Sequence, residues 1–215
     1  MSHPPHDVTA SATARDSGSA ADCYSAGDRR MMEWWKRLRA EQLTPFLATL
    51  GRAGATADRV TLLGLAFGLG FCALWSLSPM WAMLSLFLHV ALDGLDGPLA
   101  RQQGTASRRG SFTDTLCDQL VVAGTTITLM VAGLLDPALA LLYVFLYTVV
   151  VTFSMVRNAL GVPYGWLLRP RFPVYLAIPV DVWLWPGATQ WVVIASLPFL
   201  AFAVFRGAYR LRARL

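Results

Sequence analysis

Four aspartates, Asp93, Asp96, Asp114 and Asp118, fall within 26 residues of a 215-residue chain. The first pair is spaced i, i+3 and the second i, i+4, so on helices each pair shares one face. Only about ten residues separate the apolar segments that carry them, a connection length typical of antiparallel neighbouring helices, so all four carboxylates are expected to converge. Four negative charges at close range repel, and each costs at least a few kcal/mol near hydrocarbon. They must protonate, pair with arginine or bind cations. A ligand set made only of oxygen favours hard metals such as Mg²⁺, Mn²⁺ or Ca²⁺. Two divalent ions would balance four carboxylates, and a two-metal carboxylate site suits phosphoryl transfer by stabilising the attacking and leaving oxygens. Gly94, Gly97, Ala100 and Gly110 flank the acids. Such small residues let a bulky ligand approach the backbone, or let helices pack closely.

The elements that must position these acids are apolar. The chain is 55% hydrophobic and 14% charged, with a mean hydropathy of +0.49. That excludes a disordered chain, a collagen-like chain and an ordinary soluble domain. The apolar residues form six blocks, roughly 59–78, 80–100, 111–135, 137–157, 172–185 and 189–208. Most approach the about 20 residues a transmembrane helix needs; the fifth is short and contains Pro173, Pro179 and Asp181. The expected fold is an all-α integral membrane protein of six transmembrane helices, with an N-terminal interfacial amphipathic helix. Residues 1–30, rich in Ser, Ala, Asp and Thr, read as a disordered tail without the apolar core of a signal peptide. Residues 31–50 mix Trp34, Trp35, Leu38, Leu43, Phe46 and Leu47 with Lys36, Arg37 and Arg39. They read as the helix in the headgroup layer, or alternatively as a packed helix in a soluble cap. Residues 57–215 form the six-helix membrane catalytic domain.

Charge placement sets the orientation. The net charge is +5, from 18 basic and 13 acidic side chains. Arginines cluster before the first block and after the second, fourth and sixth, whereas the gaps around Pro79, Asp136-Pro137 and Pro186-Gly187 have neither Lys nor Arg. By the positive-inside rule both termini and the acid quartet are cytoplasmic. The basic surplus then marks a membrane face and implies no nucleic-acid partner. The eight tryptophans fall almost entirely near the expected interfaces, as in an aromatic belt. Cys23, Cys72 and Cys117 are too few and scattered for a disulfide framework or zinc site.

The stretch DGLDGPLARQQGTASRRGSFTDTLCD, Asp93 to Asp118, reads D-x2-D-G-x2-A-R-x8-G-x3-D-x3-D. It resembles the signature of the CDP-alcohol phosphotransferase (CDP-alcohol phosphatidyltransferase) family at every fixed position. The resemblance implies metal-dependent transfer of a phosphatidyl group from CDP-diacylglycerol to the hydroxyl of a polar alcohol, with release of CMP, in phospholipid biosynthesis. It implies Asp93, Asp96, Asp114 and Asp118 as metal ligands for Mg²⁺ or Mn²⁺, and Asp118 also as the catalytic base. Gly97, Ala100 and Gly110 would line the cytidine pocket, and Arg101 would help hold the donor or the acids. A homodimer in the bacterial inner membrane is implied as well. The family's P-N-x-x-T element is matched only in part by Ala57-Asp58-Arg59-Val60-Thr61: the threonine is present, the proline and asparagine are not. Asp58 and Thr61 are therefore either donor contacts or the N-terminal cap of the first helix.

The remaining ionisable residues have two readings each. Arg157 and Arg206 either anchor helix ends at the cytoplasmic face or bind the phosphate of an acceptor, such as glycerol phosphate or inositol phosphate. Arg169, Arg171 and Arg210 are read chiefly as anchors. His89, one turn before Asp93, reads as a packed or hydrogen-bonded residue, and Cys117 as packing. Asp181 reads as a structural partner or an outer-leaflet residue. The rival function is a small cation transporter or channel using the acid cluster as its ion site; the quartet's place at the rim, not at midplane, argues against it.

Overall fold

The computed structural model describes residues 45–213, apart from 166 and 168. The tail at 1–30 and most of the interfacial helix at 31–50 lie outside the described residues. Of the latter, 45–50 are helical, within a segment running to 52. Six helices follow: α1 (Ala57–Leu74), α2 (Pro79–Gln102), α3 (Arg108–Val131), α4 (Pro137–Ala159), α5 (Arg171–Trp183) and α6 (Ala188–Arg212). No strand occurs among the described residues.

Local chemistry sets the helix boundaries. Thr56 caps α1, accepting from the Arg59 amide at 3.4 Å, and Ser107 caps α3, accepting from the Gly110 amide at 3.1 Å. The cap of α1 is thus Thr56, not Asp58 or Thr61; Asp58 occupies the first turn, where a negative charge complements the helix dipole. Pro79 and Pro137 begin α2 and α4, where a missing amide hydrogen costs nothing. Gly187, at φ 91°, takes the left-handed turn before α6 that a side chain would resist.

The helices form two groups of three. α1 packs on α2 and α3, α4 and α5 pack on α6, and α3 against α4 joins the groups. Close approach in the first group depends on small residues. A Cβ at Gly68 would fall onto the Val121 side chain of α3, and one at Gly70 would lie 2.6 Å from the Ser85 hydroxyl of α2. Ser85 donates to the Phe67 carbonyl at 2.7 Å, so polar side chains as well as packing hold these helices.

Polarity is arranged for an apolar solvent. Leu62, Phe87, Val131, Leu141, Phe145, Leu176 and Phe202 project outward, whereas Ser85, His89, Thr125, Thr126, Ser154, Thr189 and Ser196 are buried. α1, α2, α4 and α6 are long and apolar enough to cross a membrane. The other two helices are not, for different reasons. α3 has the length but carries Arg108, Arg109, Asp114, Asp118 and Gln119 along it. α5, with 13 residues, spans about 20 Å at 1.5 Å per residue.

Candidate active site

α2 runs antiparallel to α1 and α3 parallel to it, and the acid-bearing ends of α2 and α3 meet. Asp93, Asp114 and Asp118 each contribute a carboxylate oxygen to a group lying within 4.8 Å of one another. Asp96 sits beside them and is 6% exposed. Its Oδ2 accepts from the Thr61 hydroxyl at 2.6 Å, and its Oδ1 accepts from the Gly97 amide at 2.6 Å. A side-chain contact links it to Asp114. The i, i+3 and i, i+4 spacings therefore bring the four acids together, with three in the tight group and the fourth held by α1.

The donor set fits a hard divalent cation: three half-buried carboxylates converge, with no sulfur among them and no nitrogen in the tight group. Asp93, Asp114 and Asp118 are the ligands this arrangement offers. Asp96 lies outside this tight group, with both oxygens engaged by Thr61 and the Gly97 amide. Thr61→Val, which removes that donor, is expected to lower turnover about 10-fold to 100-fold, the value of a charge-assisted hydrogen bond. Thr61→Ser should retain most of the rate; steady-state kinetics on both variants checks this.

A cation that sequence reading assigned to helix anchoring enters the same cluster. Arg171, the first residue of α5, is 3% exposed. Its Nη2 donates to Asp93 Oδ2 at 2.9 Å, and its Nη1 pairs with Asp118 Oδ2. Nothing local distinguishes Arg171 from Arg169; only the approach of α5 to α2 and α3 selects it. His89 is hydrogen-bonded, as expected from sequence: its Nδ1 lies 3.0 Å from the Gly64 carbonyl. Its Nε2 also lies 4.0 Å from Asp118 Oδ1, which places the ring beside the cluster. Asp118 lines a small recess with Thr115, Gln119, Tyr147, Leu167 and Arg169.

The other signature residues flank the acids. Gly97 is half-buried, and a Cβ there would meet Arg101 Nη1 at 3.5 Å, so the Arg101 side chain folds back along its own helix. Ala100 is half-buried on the same helix, and Gly110 lies in the first turn of α3. Asp58 is exposed at the start of α1, and among the described residues no hydrogen bond or ion pair joins it to the acid group.

Arg157 and Arg206 meet at a second place. With Arg210, Val162, Pro163 and Gly165 they line a recess of about 300 Å³. Arg157 is 4% exposed, donates to the Val162 and Pro163 carbonyls at 2.9 and 3.2 Å, and stacks 3.8 Å over the Tyr164 ring. Tyr164 donates to the Ala203 carbonyl at 2.9 Å. Burial raises its phenol above the ordinary value, with Arg157 opposing, so it remains a neutral donor. Gly207 makes room for this ring, since a Cβ there would collide with the Tyr164 hydroxyl and Phe153. The buried Asp181 is structural: its oxygens accept from the Gly187 and Thr189 amides at 2.9 and 2.7 Å. Cys117 is buried, in keeping with packing.

The CDP-alcohol phosphatidyltransferase family profile matches residues 55–204, which contain the four aspartates, Thr61 and Arg171. The chain belongs to that family. The chain is 40% identical over 80 residues to the phosphatidylinositol phosphate synthase of Streptomyces avermitilis, covering 36% of this chain and 33% of the relative. It is 41% identical over 83 residues to the synthase of the same name from Mycolicibacterium smegmatis, covering 35% and 36%. The chain thus matches about a third of the length of these curated relatives. Among solved structures, phosphatidylinositol phosphate synthase of Mycobacterium tuberculosis with CDP-DAG bound superposes with a TM-score of 0.67 at 22% identity. The overlap covers 79% of this chain and 92% of that one, and establishes a shared fold.

Proposed function

We propose that this CDP-alcohol phosphatidyltransferase family member transfers a phosphatidyl group from CDP-diacylglycerol to the hydroxyl of a polar alcohol and releases CMP. The observation that carries the reading is the convergence of Asp93, Asp114 and Asp118 within 4.8 Å, inside the family signature. Two divalent ions, Mg²⁺ or Mn²⁺, would be held by these three and Asp96. When bound, they would neutralise the donor diphosphate and the leaving phosphate. Gly97, Ala100, Arg101, Gly110, Asp58 and Thr61 would contact the CDP moiety. Asp118 accepts the proton of the acceptor hydroxyl as its oxygen attacks the phosphatidyl phosphorus; the bond from that phosphorus to the bridging oxygen breaks, and CMP leaves.

A phosphorylated polyol, such as inositol phosphate or glycerol phosphate, is the favoured acceptor. Support comes from the recess lined by Arg157, Arg206 and Arg210, since guanidinium forks match phosphate oxygens. The name borne by the Streptomyces and Mycolicibacterium relatives points to inositol phosphate in particular. The six helices would all lie in the bilayer, α3 with its polar residues turned to the site and α5 short, with both termini and the acids at the cytoplasmic face. A homodimer in the bacterial inner membrane completes the reading.

The test is CMP release by purified protein from CDP-diacylglycerol and Mg²⁺ or Mn²⁺, with a panel of inositol phosphate, glycerol phosphate, inositol and serine. Mass spectrometry of the lipid product identifies the headgroup. A phosphorylated polyol should support turnover, and Arg206→Gln should raise its KM about 10-fold or more, as loss of a charge-assisted contact does. Absence of turnover with every acceptor, together with passage of divalent ions across proteoliposomes, would replace this reading with transport.

A further inference from the structure

The acid cluster already contains a cation. Arg171 reaches it from α5, in the other helical group, and binds two of the three converging carboxylates, Asp93 and Asp118. Its charge is nearly sealed from solvent at 3% exposure. Its Nε is buried without a hydrogen-bond partner. A guanidinium serving only as scaffold in so buried a place would be expected to use its donors fully; this one leaves Nε unused and aims the other two nitrogens at the Asp93 and Asp118 oxygens.

The same two carboxylates belong to the set that fits a divalent ion. A guanidinium and a divalent ion drawn to the same oxygens lie a few ångströms apart, where like charges repel strongly in a protected site. Without Arg171, by contrast, the quartet would face its own repulsion with no fixed counter-charge. We propose that Arg171 is a tethered counter-cation of the metal site: it neutralises Asp93 and Asp118 when ions are absent, and full loading with divalent ions displaces it from them. The proposal rests on reading the quartet as a metal site, and it adds that metal loading and the seat of α5 are linked.

The experiment measures Mn²⁺ binding to the purified full chain in lipid nanodiscs, without substrate, by the electron paramagnetic resonance signal of free Mn²⁺. Arg171→Gln should bind Mn²⁺ at least 10-fold more tightly than the wild type, whereas Arg171→Lys, which keeps a charge, should stay within about 3-fold of it. Equal or weaker binding by a folded Arg171→Gln overturns the proposal while leaving the metal site standing. No Mn²⁺ binding by wild type or variant overturns both. Should Arg171→Gln fail to fold, phenylglyoxal modification of the wild type gives the answer, read by peptide mass spectrometry. Saturating Mn²⁺ should speed modification of Arg171 by releasing it, and unchanged or slower modification would refute displacement.

Discussion

Asp118→Asn is expected to lower CMP release by about 10³-fold or more, while the protein remains folded. General-base catalysis alone contributes about 10²-fold to 10⁴-fold. The amide cannot accept the acceptor's proton, and it also removes one anionic oxygen from the converging set. The side chain keeps its shape, and Arg171 keeps its 2.9 Å bond to Asp93, so the joint between the two helical groups survives. CMP release and thermal unfolding, measured in the same detergent, check the two halves of the expectation. Retention of more than a tenth of the wild-type rate would make Asp118 a partner of Arg171 and His89, and the base would have to be sought elsewhere.

The largest effect on stability is expected from Asp181→Ala. This carboxylate is 3% exposed and satisfies two backbone amides at the turn into α6. Hydrogen bonds to charged groups contribute about 1.5–3 kcal/mol each, and their loss here strands the buried Thr189 amide and frees the half-buried Gly187 amide. A destabilisation of at least about 3 kcal/mol is therefore expected, with Asp181→Asn, which keeps one acceptor, losing about half as much. Chemical unfolding in detergent micelles measures both. A loss below about 1 kcal/mol for the alanine variant would mean that other groups take over the turn.

The parts of the site that follow from helical periodicity could be read in the sequence. The spacing of Asp93 with Asp96 and Asp114 with Asp118 set their faces, and the short connection through Gly104 brings the acid-bearing ends of α2 and α3 together, although both helices pack chiefly on α1 and not on each other. Contacts between elements distant in the chain could not be read in this way. Arg171 lies 78 residues from Asp93, and its neighbours offered only the ordinary signal of a basic helix end. Thr61 is 35 residues from Asp96; the partial family element marked it, but its hydroxyl was equally suited to a cap that Thr56 in fact supplies. α3 lacks the average apolarity of a membrane span partly because of residues turned inward: Asp114 and Asp118 join the acid group and Gln119 donates to Thr148 of α4, and an average over the segment cannot separate the two sides of a helix.

The brevity of α5 has a mechanical consequence for the surrounding lipid. Arg171 fixes one end at the acid cluster, and about 20 Å later the helix stops at Trp183. In the proposed six-span arrangement, a hydrocarbon layer about 30 Å thick would exceed this rod by roughly 10 Å on the far side. Thinning of the leaflet beside Trp183 and Trp185 would close that gap, and the protein would then sit in a local dimple of the sheet it occupies.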